Sequence, residues 1–297
     1  MQGIAKKTCD VLSMITRFHG VVVDVPDLDS AVADYARLLG QDPGPVEADL
    51  AQQTRSVFFP VRNMLLEIRE DSCVDAKSAV GLAGIRLDCD EVEEIKSRLS
   101  ETGSSLLPSE SRKVDAAGEA EQRAWLSTFV DPDGSRSIPV ELISEEVGER
   151  PTWADPSMPA SEGRSFESGS VIDALDHVVI MSGDIEATRD FYRDGLGIRL
   201  ALDRSFEKRG VRLIFFRIGG VTIEIGGRLE AAPASGSADR FGGLAWQVGD
   251  MDAIHSRLSA DRFDVSKIRD GHKPGTRVCT VRDPVHDVPT LLIEPVS

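Results

Sequence analysis

The chain of 297 residues contains only four cysteines and five histidines, and aromatic side chains make up 5% of it. Cys9, Cys73, Cys89 and Cys279 show no C-x-x-C spacing, which excludes a disulfide framework and fits a reducing compartment. The amino terminus, MQGIAKKTCDVLSMITRF, lacks an apolar stretch of secretory-signal length. No run elsewhere approaches the ~20 apolar residues that span a bilayer, so a soluble, cytoplasmic protein is expected. Basic residues are in the minority: 34 Lys and Arg stand against 50 Asp and Glu, a net charge of −16. Such a surface repels phosphate backbones and anionic lipid heads, which excludes nucleic acid and membranes as partners and leaves a small-molecule substrate, with a homodimer as one possible assembly.

What is present is ordinary globular material, 41% hydrophobic and 28% charged, enough to exclude global disorder. The length is about twice that of a usual domain and predicts two domains of roughly 130 to 150 residues. An internal repeat supplies them. RFHGVVVDVPDLDSAVADYARLLG near the start parallels LDHVVIMSGDIEATRDFYRDGLG near the middle, each with a His heading a Val-rich strand, an Asp-containing cap, a helix with Tyr35 or Tyr192, and Leu-Gly. His19 and His177 are 158 residues apart, Glu67 and Glu224 157, Ser97 and Ser256 159, and Glu141 and Glu294 153. Four landmarks at nearly constant offset indicate a tandem duplication. The copies are expected at 15–146 and 173–297, after a tail at 1–14 and around a Pro-, Ser- and Gly-rich linker at 147–172 in which Trp153 offers a docking point.

Each copy halves again. The first reads as strand 17–25, helix 28–39, strands near 45–49, 54–61 and 63–69, then strand 81–88, helix 90–102, and strands near 105–113, 123–130 and 138–144. Helices rest on apolar spacing, as in Val32, Tyr35, Leu38 and Leu39 or Val92, Ile95 and Leu99. Strands rest on β-branched runs bounded by Gly, Asp and Pro.

Glutamate within apolar strands is the anomaly, because a buried carboxylate costs several kcal/mol unless a cation or a full set of donors meets it. Glu67 sits in MLLEI, Glu224 in VTIEI, Glu141 in PVELI and Glu294 in LLIEP. One His and two Glu per copy would form an oxygen-rich set for a divalent ion such as Zn, Ni, Mn, Co or Fe(II). The plainer alternative puts the strand Glu residues in water and each His in a structural hydrogen bond, and duplication alone preserves such a pair. His272 and His286 fall in loops, His255 on a solvated helix face, and Cys279 in a strand where burial makes it inert. The FGGL and IGG segments lack the context of a phosphate loop, and the DPDG segment at 131–134 reads as a turn.

Both copies resemble vicinal oxygen chelate domains, the glyoxalase, bleomycin-resistance and extradiol dioxygenase superfamily. The resemblance implies an α+β fold of two tandem domains, each pairing two βαβββ modules into an open cupped sheet with metal ligands on first and last module strands. It makes His19 and His177 the first-strand ligands, Glu67 and Glu224 the fourth-strand ligands and Glu141 the final-strand ligand, with the last position of the second copy at Glu294 or Leu292. A further His is frequent on the fifth strand of family metalloenzymes; the aligned residues here are Leu82 and Gly243, neither a ligand. Modules either pair within a copy or exchange between copies.

The leading expectation is a metal-dependent glyoxalase-like isomerase or lyase, in which the ion stabilises an enediolate and Glu141 or Glu294 moves the proton. An Fe(II) extradiol dioxygenase is the alternative, and it requires a second His such as His272 or His286. A non-catalytic binding or resistance protein is the third reading, with Trp246 and Phe215 or Phe216 lining its cup.

Overall fold

A computed structural model describes residues 14–49, 52–71, 80–116, 122–144, 170–229 and 238–295. Trp153 and most of the expected linker lie outside these. The amino-terminal half runs β1 (Ile15–Asp24), α1 (Leu28–Leu39), β2 (Val46–Asp49), β3 (Thr54–Val61), β4 (Met64–Asp71), β5 (Gly81–Cys89), α2 (Val92–Glu101), β6 (Glu110–Ala116), β7 (Gln122–Phe129) and β8 (Val140–Ser144). The carboxyl-terminal half repeats it: β9 (Ile172–Met181), α3 (Ile185–Asp190) continuing into a π-type turn at Phe191–Gly195, β10 (Leu200–Phe206), β11 (Val211–Ile218), β12 (Val221–Arg228), β13 (Arg240–Val248), α4 (Met251–Ala260), β14 (Arg269–Asp270), β15 (Thr276–Val285) and β16 (Val288–Pro295).

Among the described residues aspartates start three of the four α-helices: Asp27, Asp184 and Asp250 accept from the amides of Ser30, Ala187 and Ala253. An acceptor there satisfies an amide that has no partner within the helix. Gly40 closes α1 in the left-handed region at φ 73°.

Each half makes one eight-stranded sheet in which its own two modules lie side by side, so modules pair within a copy and do not exchange. The second sheet is open, in the order β10-β11-β12-β9-β13-β16-β15-β14. The first curls further than an open cup. Its ends meet where Glu47 and Ala48 of β2 pair with Ala116 and Asp115 of β6, closing a barrel.

Alternation along the strands divides apolar from functional residues. Val21, Val23, Leu66, Ile68, Ile85, Leu87, Val140 and Leu142 turn outward to the helices, and Val178, Ile180, Ile223, Ile225, Leu244, Trp246 and Leu292 do the same in the second sheet. Both sets belong to one continuous hydrophobic cluster. Polar ties join the halves as well. The Asn63 side chain donates to the Leu175 carbonyl at 2.7 Å and accepts from its amide at 3.0 Å. His286 stacks on Tyr35, ring centroids 6.1 Å apart, and its Nε2 lies 3.1 Å from Asp34. Among the described residues no helix is long and apolar enough to cross a membrane.

Candidate functional site

Strand register decides which residues look into each sheet's concave face. In the second sheet His177 lies beside Thr222, and Glu224 stands two residues along the same strand, beside Val179. In the first sheet Glu67 lies beside Val22, and the residue beside Leu65, two positions back, is Gly20. Gly20, not His19, therefore holds the place of His177. Both sheets carry the same first-strand bulge, at His19 between Phe18 and Gly20 and at Asp176 between Leu175 and His177, so His19 is the counterpart of Asp176. His19 consequently turns to Asp88, with Nδ1 2.7 Å from Oδ1, in a cluster where Arg17 also bonds Asp88 at 2.6 Å. No side chain larger than hydrogen fits at Gly20: a Cβ there would lie 2.3 Å from the Leu65 carbonyl oxygen.

The same register corrects the fifth-strand positions. Gly20 pairs with Arg86, and Arg86 with Glu141; His177 pairs with Ala245, and Ala245 with Leu291. The inward residues are thus Arg86 and Ala245 rather than Leu82 and Gly243. The last inward position of the second sheet is Leu291, neither Glu294 nor Leu292. Glu294 accepts from the Met251 amide at the start of α4 and pairs with Arg277 at 3.1 Å. Leu292 is fully buried on the helix side.

The first barrel brings Glu67 and Glu141 together, but around a side chain that the sequence reading did not single out. Arg86 bonds Glu67 through Nη1 and Glu141 through Nε at 2.7 Å, with all three side chains no more than 5% exposed. Ser56 donates to Glu67 at 2.6 Å, and Ser127 donates to Glu141. Burial alone would raise the Glu67 pKa, but Arg86, Arg69 and the Ser56 hydroxyl together hold it below the ordinary carboxylate range. Burial works against the Arg86 charge, and Glu141 and Glu67 more than offset it, so the guanidinium stays ionised. Glu47, also buried, pairs in register with Ser56 and adds a third carboxylate to the interior.

The second sheet keeps a different pair. His177 Nε2 is 3.5 Å from Glu224 Oε2, and His177 Nδ1 is 2.8 Å from Asp176. The bond to His177 is the main reason the Asp176 pKa is low, so Asp176 is ionised and orients the ring. Glu224 is shifted the other way: burial raises its pKa, the His177 charge only partly offsetting this. Glu224 also lines a cavity of about 480 Å³, walled by Val179, Met181, Val211 and Leu213, with Arg228 and Arg240 on its lining.

Other expected candidates lie elsewhere. His272 contacts Arg209 at 3.2 Å, and His286 sits against the other half at Asp34 and Tyr35. His255 is not simply solvated, since its Nε2 lies 3.0 Å from the Ser266 carbonyl. Cys279 is fully buried, and burial raises its pKa.

The sequence model of the Glyoxalase/Bleomycin resistance protein/Dioxygenase superfamily matches residues 174–286. The ethylmalonyl-CoA/methylmalonyl-CoA epimerase of Cereibacter sphaeroides is 32% identical over 116 residues, covering 36% of this chain and 85% of that protein. The chain belongs to this superfamily. Solved structures extend the likeness of fold to both halves. The Mn(II)-bound glyoxalase of Novosphingobium aromaticivorans aligns with TM-score 0.62 at 17% identity, covering 96% of this chain and 84% of that one. A mutant of 4-hydroxymandelate synthase from Streptomyces coelicolor aligns with TM-score 0.61 at 19% identity, covering 94% and 92%.

The expected three-ligand metal set can be tested against these positions. Among the described residues no three His, Cys, Asp or Glu side chains are grouped to hold a metal ion. The first barrel has its carboxylates bonded to a guanidinium and a glycine in place of the imidazole. The second has one imidazole and one carboxylate, with Ala245 and Leu291 at the remaining positions. A resident metal held by three or four protein ligands does not fit either sheet.

Proposed function

We propose that the second sheet carries the activity, and that it is proton transfer at a carbon beside a carbonyl, of the isomerase or epimerase kind, on a small oxygenated substrate. One observation carries this reading: Glu224, a buried carboxylate of raised pKa, lines the 480 Å³ cavity while touching an imidazole that a second carboxylate holds in place. Raised basicity is what a carboxylate needs to take a proton from carbon near neutral pH. With Nδ1 turned to Asp176 at 2.8 Å, His177 presents Nε2 to Glu224 at 3.5 Å. In this reading Glu224 is the base, and the His177 ring edge beside it is the group available to the oxygen on which charge develops. Val179, Val211 and Leu213 give the cavity an apolar wall, while Arg228 and Arg240 on its lining are available to an anionic substrate group. The relative named as an epimerase of two acyl-CoA compounds supports this class of reaction.

A binding role without turnover is the second reading, favoured by Ala245 and Leu291, which add no further acid, base or ligand on the strands next to His177. Wash-in of solvent deuterium at the carbon beside the carbonyl, followed by NMR over a panel of branched acyl thioesters, separates the two. Glu224→Gln is expected to slow exchange by about 10²–10⁴-fold. Exchange that Glu224→Gln leaves unchanged would refute the assignment. Saturable binding by the parent protein with no exchange of any substrate would favour the binding role.

A further inference from the structure

The two halves depart from a shared ligand pattern at different places. The first has both carboxylates, with Gly20 and Arg86 at the positions where the resemblance would put imidazoles; the second has an imidazole and one carboxylate, with Ala245 and Leu291 elsewhere. The first barrel nevertheless retains the physical problem that a metal would solve, since Glu67 and Glu141 are at least 95% buried and face one another across the interior. Two carboxylates in such a setting require a cation or must take up protons.

We infer that Arg86 is a permanent counter-cation built into the chain, standing where a divalent ion would bridge Glu67 and Glu141, and that the first barrel is consequently a metal-refusing structural core. A guanidinium suits the post: its planar fork reaches one carboxylate through Nε and the other through Nη1, and it does not deprotonate at any physiological pH. It carries one positive charge where a divalent ion carries two. The Ser56 and Ser127 hydroxyls, each donating to the carboxylate oxygen that Arg86 does not engage, supply part of the difference, and Arg69 contributes its charge at Glu67. An ion could enter only by expelling a guanidinium that is 4% exposed and bonded on two sides. The imidazole that would help hold the ion has no room at Gly20.

The test is Mn(II) uptake, followed by electron paramagnetic resonance and equilibrium dialysis, on the full chain carrying His177→Ala and Glu224→Gln to silence the second sheet. The inference expects no tight equivalent in this background, and no change when Glu141→Gln is added. Replacing Arg86→His in the same background frees both carboxylates and adds a nitrogen ligand, so Mn(II) affinity should rise at least about tenfold, with the bound-ion spectrum lost again on Glu141→Gln. One equivalent of Mn(II) bound by the background protein and abolished by Glu141→Gln would overturn the inference. So would a folded Arg86→His variant that gains no affinity. Should Arg86→His fail to fold, the background titration decides alone. Because the readout is metal in the first barrel, it is independent of whether the second sheet exchanges protons.

Discussion

Replacing Arg86 with methionine preserves most of the side-chain volume and removes the charge that Glu67 and Glu141 share. Breaking a buried ion pair by deleting one partner costs about 3–5 kcal/mol, because the surviving charge stays out of water without compensation. Here one deletion takes the shared guanidinium from two buried carboxylates, each of which also accepts from a serine hydroxyl. A loss of at least about 3 kcal/mol at pH 7 is therefore expected. The pH dependence makes the cause visible. In the parent protein the Glu67 pKa is depressed in the folded state, so its contribution is complete above the ordinary glutamate pKa of about 4.3 and fades as pH falls through the lower folded value. In Arg86→Met, burial without the guanidinium raises the folded pKa, and stability instead falls as pH rises above about 4.3. The difference between the two proteins should thus shrink on going from pH 7 to pH 4. Urea unfolding followed by circular dichroism at both pH values measures it. Adding Glu67→Gln and Glu141→Gln to Arg86→Met removes the stranded charges and should recover most of the loss, as hydrogen-bonded neutral replacements of buried ion pairs commonly do. A cost below about 1 kcal/mol at pH 7, or one that does not change with pH, would refute the account of Arg86 as the counter-cation.

Gly20→Ala drives a Cβ to 2.3 Å from a backbone carbonyl of the neighbouring strand, so β1 and β4 must separate; a loss of about 1–3 kcal/mol in thermal or urea unfolding is expected, and a neutral effect would contradict the register. Glu224→Gln should stabilise the fold at pH 7 while it removes activity, because the raised pKa means that ionised Glu224 works against folding, and the gain should vanish below about pH 4, where the carboxyl is protonated in both states. Arg257 of α4 donates to the carbonyls of Leu38 and Ser170, both at 2.8 Å, so Arg257→Met leaves acceptors unmet where the two halves touch and should lower the melting temperature by an amount equivalent to about 1–3 kcal/mol.

Periodicity in the sequence was enough to place the elements. The helix expected at 28–39 forms over those residues, and the strand pair expected at 54–61 and 63–69 appears at 54–61 and 64–71. The strand glutamates pointed correctly to buried charge, since Glu67 and Glu141 lie inside the barrel and Glu224 lines a cavity. Which residue answers each of them was not legible. Matching His19 to His177 by residue type is off by one: Gly20 stands 157 residues before His177, the offset of Glu67 and Glu224, and the bulged residue is His19 in one copy and Asp176 in the other. Glu294 follows an apolar pair as Glu141 does, yet it lies three positions past Leu291, the position that the sheet turns inward. Arg86 did leave a signal: GIRLDC sets an arginine among outward-facing apolar residues at strand spacing, the mirror image of the glutamate anomaly. Charge balance between neighbouring strands would have paired them. Closure of the barrel depended on four-residue β2 meeting β6, a contact between distant segments that no local pattern announces.

That closure also sets how each half meets other molecules. A strand at the end of a sheet exposes a row of unmet amides and carbonyls that any extended segment can use, and a barrel has no such row. In the amino-terminal half the end strands β2 and β6 meet over two residue pairs and partly cover each other, whereas the other half ends in β10 and β14. With only two residues, β14 offers little purchase. β10 offers seven, with Leu202 about half exposed beside Asp203 and Arg204, and is the longer of the two end strands of the open sheet.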